Sequence, residues 1–376
     1  MSETGPDFTP VNLITGFLGA GKTTLLKRLL REPALSDTAV LINEFGEVGL
    51  DHHLLERIDE NMVLLQSGCL CCTIRGELAD SLRLLHSKRE RGLVPWFRRV
   101  VIESTGLADP FPILSTICAD PVLKHHFQLG QVVTVVDAVN AGSQLDLYEQ
   151  SVRQVAIADR LVLTKTGLAG PVKTRSLVDR MRIINPLALL WHSEVDNIDA
   201  DTLLCIELLD MSRKTAAAQH WFAAELPPPS LLPPDPQTGV PVQADLQPHE
   251  GRYLGQQRRT QRAARRHDAD IHAFSIELTE PLDWTRFGIW LTMLVHCHGS
   301  RILRVKGILH VQGSLTPVAV HGVQHLIHPP VHMAAWPGDE RHSLLVFIVK
   351  GLERQLVARS LNAFVAVPAP SSKHAH

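Results

Sequence analysis

The chain is 376 residues long, enough for about two domains with their own cores. Its 37 basic and 39 acidic side chains nearly cancel, which argues against general affinity for nucleic acid or an anionic membrane. Six cysteines do not make a disulfide framework at this length, the opening MSETGPDFTP lacks a basic-then-apolar leader, and the longest late apolar run, 344–349, is too short to span a bilayer. A cytoplasmic chain with reduced thiols is expected.

Residues 11–14 (VNLI) read as a short buried strand. They lead into GFLGAGKTT and then into LLKRLL, the start of an amphipathic helix. Strand, glycine loop and helix start are the setting a phosphate-binding loop requires. The glycines let backbone N–H groups turn inward, and the helix N-terminus adds partial positive charge. The nucleotide-binding candidates are Gly16, Gly19, Ala20, Gly21, Lys22, Thr23 and Thr24. Lys22 can reach the β- and γ-phosphates, and the Thr23 hydroxyl can bind Mg²⁺.

A second buried strand is expected over 39–43, followed by the loop EFGEVGLD. A third apolar run at 62–66 leads directly into Ser67-Gly68 and the cluster Cys69-Leu70-Cys71-Cys72. In an extended segment Cys69 and Cys71 share a face, and Cys72 joins them if the chain turns there. Three thiolates with no obvious fourth suit a borderline or soft cation: Zn²⁺ first, with Co²⁺, Ni²⁺ and Cu⁺ as alternatives. The rival readings are buried apolar cysteines and a redox pair. The next stretch, 76–90, carries Leu78, Leu82 and Leu85 at helical spacing.

Strand-like runs recur at 99–102, 131–136, 160–163 and 187–190, mostly separated by helical stretches. Continuous apolar strands alternating with helices predict a mostly parallel sheet covered on both faces, an α/β fold. The run at 99–102 ends in Glu103-Ser104-Thr105-Gly106. Glu103 stands where nucleotide hydrolases hold the acid that orients Mg²⁺ or its water, and the Gly106 N–H could sense the γ-phosphate. Residues 105–112 would then act as a switch. After 160–163 the chain reads Thr164-Lys165-Thr166-Gly167, where a guanine-selecting motif would be Asn-Lys-x-Asp. Lys165 can pack its stem on the base, but the aspartate that would accept from guanine N1 and N2 is replaced by Gly167. Asp137, ending the run VVTVV, reads as a turn or cap residue.

Composition changes after Met211. A proline-rich stretch and a cluster of arginines read as a linker. From Ile271 order resumes as β-α-β-β-β-α with Asp283 as N-cap, a small α+β domain. The expected domains are 1–205 (nucleotide), 206–268 (linker), 269–366 (α+β) and a disordered tail, 367–376.

Taken in order, GFLGAGKTT, NEFGEVGLD, SGCLCCTIRGEL, ESTGLADP and VDAV resemble the CobW family of G3E P-loop GTPases. The likeness continues through RVKGIL, HGVQHL and LLVFIV, sparing the linker. The Cys-x-Cys-Cys element is its most specific mark. A base motif beginning Thr-Lys is tolerated in one subgroup of the family, whereas Gly167 departs from it. The resemblance implies a slow, metal-regulated GTPase that uses GTP and Mg²⁺ and acts as a metallochaperone for Zn²⁺ or Co²⁺. Cargo would bind at Cys69, Cys71 and Cys72. Lys22, Thr23, Glu103 and Glu44 would be catalytic, with Glu44 and Glu47 contacting Mg²⁺ or water. Gly106, Thr164 and Lys165 complete the nucleotide site. The implied partners are a guanine nucleotide and a client metalloprotein docked by the smaller domain, with self-association left open. Two rivals remain: a P-loop ATPase or kinase with structural cysteines, and a metal sensor without turnover.

Overall fold

The computed structural model describes residues 8–42, 63–66, 74–196, 198–204, 270–336 and 341–365. The chain divides into two compact units, Met1–Asp210 and Met211–His376.

The first unit is built on a seven-stranded sheet of β1 (Thr9–Thr15), β2 (Thr38–Ile42), β3 (Val63–Gln66), β4 (Arg99–Glu103), β5 (Phe127–Asp137), β6 (Arg160–Thr164) and β7 (Leu189–His192). The strand order is β3-β2-β4-β1-β5-β6-β7, and every pairing is parallel. Every residue of β2 and β4 is buried. That is why these strands read as continuous apolar runs rather than as an alternation: helices cover both faces. Connecting helices include α1 (Lys22–Leu29), α2 (Ile74–Glu90), α3 (Pro110–Ala119), α4 (Ala141–Leu147) and α5 (Glu149–Ile157). They continue with α6 (Thr166–Ala169), α7 (Pro171–Ile184) and α8 (Ala200–Leu204). On one face, Leu25, Leu26 and Leu29 of α1 and Leu203 of α8 pack against Ile14, Val40, Val101, Val133 and Val162. The predicted apolar faces hold: Leu78, Leu82 and Leu85 of α2 are all fully buried.

The starts of β5 and β7 differ from expectation. β5 begins at Phe127 rather than Gln131, because Thr9 and Pro10 of β1 extend the ladder to Phe127 and Gln128. β7 begins at Leu189 rather than Leu187. The Asn185 Oδ1 accepts from the Leu187 and Ala188 N–H groups, both at 3.1 Å, and diverts them from the sheet.

The second unit is an antiparallel sheet with helices. Its elements are β8 (Ile271–Leu278), α9 (Trp284–His298), β9 (Ile302–Leu309), β10 (Val318–Val323), β11 (Leu326–Ile327), β12 (Val331–His332), β13 (Ser343–Lys350) and α10 (Arg354–Val365). The sheet runs β11-β10-β9-β13-β8, with β12 beside β10. The two-residue strands β11 and β12 are additions to the expected β-α-β-β-β-α order. Asp283 caps α9 as expected, accepting from the Arg286 N–H at 2.9 Å. Phe287 and Trp290 pack with Phe347 and Phe274 in the core, and Trp290 Nε1 donates to Ser360 Oγ at 3.0 Å, tying α9 to α10. Among the described residues no helix is long and apolar enough to cross a membrane.

Candidate nucleotide site

The strand order places the site. The chain leaves the middle of the sheet at β1, passes over to β2, and returns through β4 to pair with β1. In open α/β sheets, ligands sit outside the carboxyl ends of the strands at such a reversal. The candidate residues that follow β1, β4 and β6 all lie at that edge.

Between β1 and α1 the loop turns on Gly16, Gly19 and Gly21, with φ of 136°, 74° and 96°. Gly16 is compelled by packing as well as by its dihedral, since a Cβ there would run into the backbone carbonyl of Val135 in β5. Ala20 is fully buried and its N–H donates to the Phe17 carbonyl at 3.2 Å, closing the loop. Lys22 opens the helix, 9% exposed, and donates from Nζ to the Phe17 carbonyl at 3.2 Å. This folds its ammonium back over the loop. Thr23 and Thr24 follow in the first turn of α1.

Thr23 Oγ1 donates to Glu103 Oε1 at 2.5 Å, across 80 residues of sequence. Parallel pairing of β1 with β4 sets this contact, with Ile14 level with Glu103. A hydroxyl beside a buried carboxylate is a pair of hard oxygen donors, which fits Mg²⁺. The loop after β4 then packs on the glycine loop. A Cβ on Gly106 would lie 2.5 Å from the Leu18 N. Helix α5 holds this loop from the other side: Gln154 Nε2 donates to the Gly106 and Ala108 carbonyls at 3.2 and 3.1 Å. Arg153 pairs with Asp109 at 2.7 Å.

The turn after β6 is tied to the same loop. Thr164 Oγ1 donates to the Ala20 carbonyl at 2.8 Å. Lys165, at φ 58°, reaches from Nζ to the Gly19 carbonyl at 2.9 Å and to Asp137 Oδ2 at 2.8 Å. Its head group is thereby tied to the glycine loop. Asp137 does act as a turn residue, accepting from the Val139 N–H and Asn140 Nδ2, both at 2.8 Å. The lysine partner is the role its sequence position did not suggest. Burial pushes the Asp137 carboxyl up, but the bonds from Lys165, Asn140 and Val139, with the lysine charge, hold it below the usual carboxylate value. A carboxyl depressed in the folded state stabilises fully above its unfolded pKa of about 4 and loses that contribution as pH falls through the folded value. Asp137→Asn should therefore be less stable than wild type near neutral pH. Chemical unfolding should find the gap narrowing below about pH 4. A gap independent of pH would refute the ion-pair role.

At Gly167, where the sequence lacks a carboxylate, another approaches from the end of β7. Glu194 Oε2 accepts from the Gly167 N–H at 2.8 Å and from Thr166 Oγ1 at 2.9 Å. Glu194 lies 27 residues from Gly167, and no sequence motif marked it. Cys69, Cys71, Cys72, Glu44 and Glu47 lie outside the described residues. Among the described residues, no three His, Cys, Asp or Glu side chains gather to hold a metal.

Residues 10–191 match the family model for the CobW/HypB/UreG nucleotide-binding domain, and 271–365 match the cobalamin synthesis protein CobW C-terminal domain. The chain belongs to the CobW family. The zinc chaperone YjiA of Escherichia coli is 32% identical over 342 residues, covering 90% of this chain and 93% of that protein. The zinc chaperone CobW of Pseudomonas aeruginosa is 29% identical over 380 residues, covering 95% and 92%. The crystal structure of zinc-bound YjiA GTPase superposes with a TM-score of 0.65 at 27% identity, covering 95% of this CobW-family chain and 99% of the other.

Proposed function

We propose that this chain is a metal-regulated GTPase. It binds Zn²⁺ (or Co²⁺) at Cys69, Cys71 and Cys72, and releases it to a client metalloprotein as GTP is hydrolysed. The observation that carries the nucleotide part is the shared anchoring of three loops. Glu103 meets Thr23, Gly106 packs on Leu18, and Lys165 bonds Gly19. Phosphate, Mg²⁺ and base positions are thus mechanically linked. The zinc part is supported by the names carried by relatives that match nearly the full chain, zinc chaperone YjiA and zinc chaperone CobW. It is also supported by the three thiols, which sit in the sequence between the carboxyl end of β3 and the start of α2.

In this reading, backbone N–H groups of residues 16–24 cradle the phosphates and Lys22 neutralises charge between the β- and γ-groups. Thr23 and Glu103 would hold Mg²⁺, which when bound would offset the negative charge that develops on the leaving phosphates. Gly106 senses the γ-phosphate. Glu44 orients Mg²⁺ or the attacking water from the segment that runs on to the cysteines. Because that segment and the loop after β4 both bear on nucleotide state, nucleotide and metal affinity are coupled, and the coupling is reciprocal. Residues 1–205 act as the motor, 206–268 as a linker, and 269–366 as the client-docking domain. A reducing cytoplasm keeps the thiols competent.

Steady-state GTP hydrolysis across a Zn²⁺ titration tests this. Turnover should change several-fold with zinc in the wild type and stay flat in the variant with all three cysteines changed to serine. A wild-type rate insensitive to zinc would reduce the chain to a P-loop hydrolase with an incidental thiol site.

A further inference from the structure

We propose that Glu194 reads the guanine base in place of the aspartate that position 167 lacks; this rests on the GTPase reading above. The turn carrying Lys165 is fixed relative to the phosphate loop by the Lys165–Gly19 and Thr164–Ala20 bonds. A base lying on the Lys165 stem therefore presents its edge to the following residues, Thr166 and Gly167. In the Asn-Lys-x-Asp arrangement, the acceptor for that edge projects from the fourth position. Here the fourth position has no side chain, yet a carboxylate oxygen is present. Glu194 Oε2 stands 3.3 Å from where a Cβ on Gly167 would be.

The carboxylate is held in place. The bonds from the Gly167 N–H and the Thr166 hydroxyl end on Oε2. A carboxylate has about four lone-pair sites, so beside these two bonds and one from the Lys165 backbone N–H it keeps acceptor capacity for the guanine edge. Chiefly the Gly167 N–H, then the Thr166 hydroxyl, hold this carboxyl below the usual glutamate value, so it is charged at neutral pH. The loop that bears it is anchored as well. The Ser193 N–H donates to the Leu163 carbonyl at 2.8 Å, and Arg28 of α1 donates to the Ser193 carbonyl at 3.1 Å. Parallel pairing of β6 with β7 delivers Glu194 to this turn.

Gly167 and Glu194 fit together as alternatives to an aspartate. An aspartate at 167 would set two carboxylates side by side, a like-charge contact that raises the energy of both. Adenine, with an acceptor at N1 and no donor at C2, would face the Glu194 carboxylate lone pair to lone pair, so the arrangement repels as well as attracts.

The test is equilibrium titration of the full chain with fluorescently labelled GTP, ATP and xanthosine triphosphate, with unfolding curves confirming that each variant folds. Wild type should prefer GTP to ATP. Glu194→Gln should lose at least tenfold in GTP affinity and gain for xanthosine triphosphate, whose C2 carbonyl can accept from the new amide. Glu194→Ala should lose the GTP preference without that gain, and the double variant Glu194→Ala with Gly167→Asp should recover it. A GTP-selective wild type with unchanged selectivity in Glu194→Gln overturns the assignment and leaves the GTPase reading standing. A wild type that prefers ATP overturns both.

Discussion

Lys22→Ala is expected to lower GTP turnover by roughly 10²–10³-fold, the range for removing one positioned charge stabiliser from a transition state. Lys22 is 9% exposed at the first position of α1, and its ammonium already points back across the loop to the Phe17 carbonyl. On nucleotide binding it can exchange that carbonyl for phosphate oxygens. In phosphoryl transfer the protein contributes chiefly positioning and charge, so the loss should appear in kcat as well as in nucleotide affinity. Lys22→Arg should fail to restore the rate. A planar fork cannot reproduce a compact point charge in this small cradle. Steady-state kinetics of the three proteins, with unfolding curves as control, decide the matter. Turnover within threefold of wild type would place the phosphates elsewhere.

Among the described glycines of the first unit, Gly16→Ala should be the most damaging substitution. The residue sits at φ 136°, and its new methyl would collide with the Val135 carbonyl, which belongs to the backbone of a central strand. A rotating side chain could give way; β5 is held between β1 and β6 and cannot. Strained backbone and overpacking together cost roughly 2–6 kcal/mol. The unfolding midpoint of this unit should fall by roughly 5–20 °C. Gly19→Ala is the internal control. It also has positive φ, at 74°, but nothing lies within 4 Å of its Cβ position, so only the backbone cost of about 1–2 kcal/mol remains. Equal losses at the two positions would contradict the packing argument.

These two glycines illustrate what the sequence could convey. The loop was legible because strand, glycines, lysine and helix start are contiguous, so local chemistry alone specifies the arrangement. The parallel sheet was legible because β2, β4 and β6 are buried on both faces and carry unbroken apolar runs. The starts of β5 and β7 were not: β5 depends on what β1 offers to Phe127, a tertiary fact, and β7 on the Asn185 side chain taking the next two N–H groups, a local bond that apolar patterning does not show. The strands β11 and β12 are too short to leave a periodic signal. At the site, Glu103 could be named from its strand, but its 2.5 Å bond with Thr23 exists only once β1 and β4 pair. Asp137 was read as a turn residue, which it is, but its pairing with Lys165 escaped for the same reason, as did Glu194 altogether. Each acts on the turn after β6 from another strand end, 28 and 27 residues away in sequence.

The central claim is that nucleotide state and metal binding are coupled through the cysteine segment. It is tested most directly by titrating Zn²⁺ into the reduced, Mg²⁺-loaded protein, once with a non-hydrolysable GTP analogue and once with GDP. The variant with Cys69, Cys71 and Cys72 all changed to serine serves as control. The account predicts different zinc affinities in the two nucleotide states, and loss of both the affinity and the difference in the variant. Equal zinc affinity with GTP analogue and GDP would contradict it.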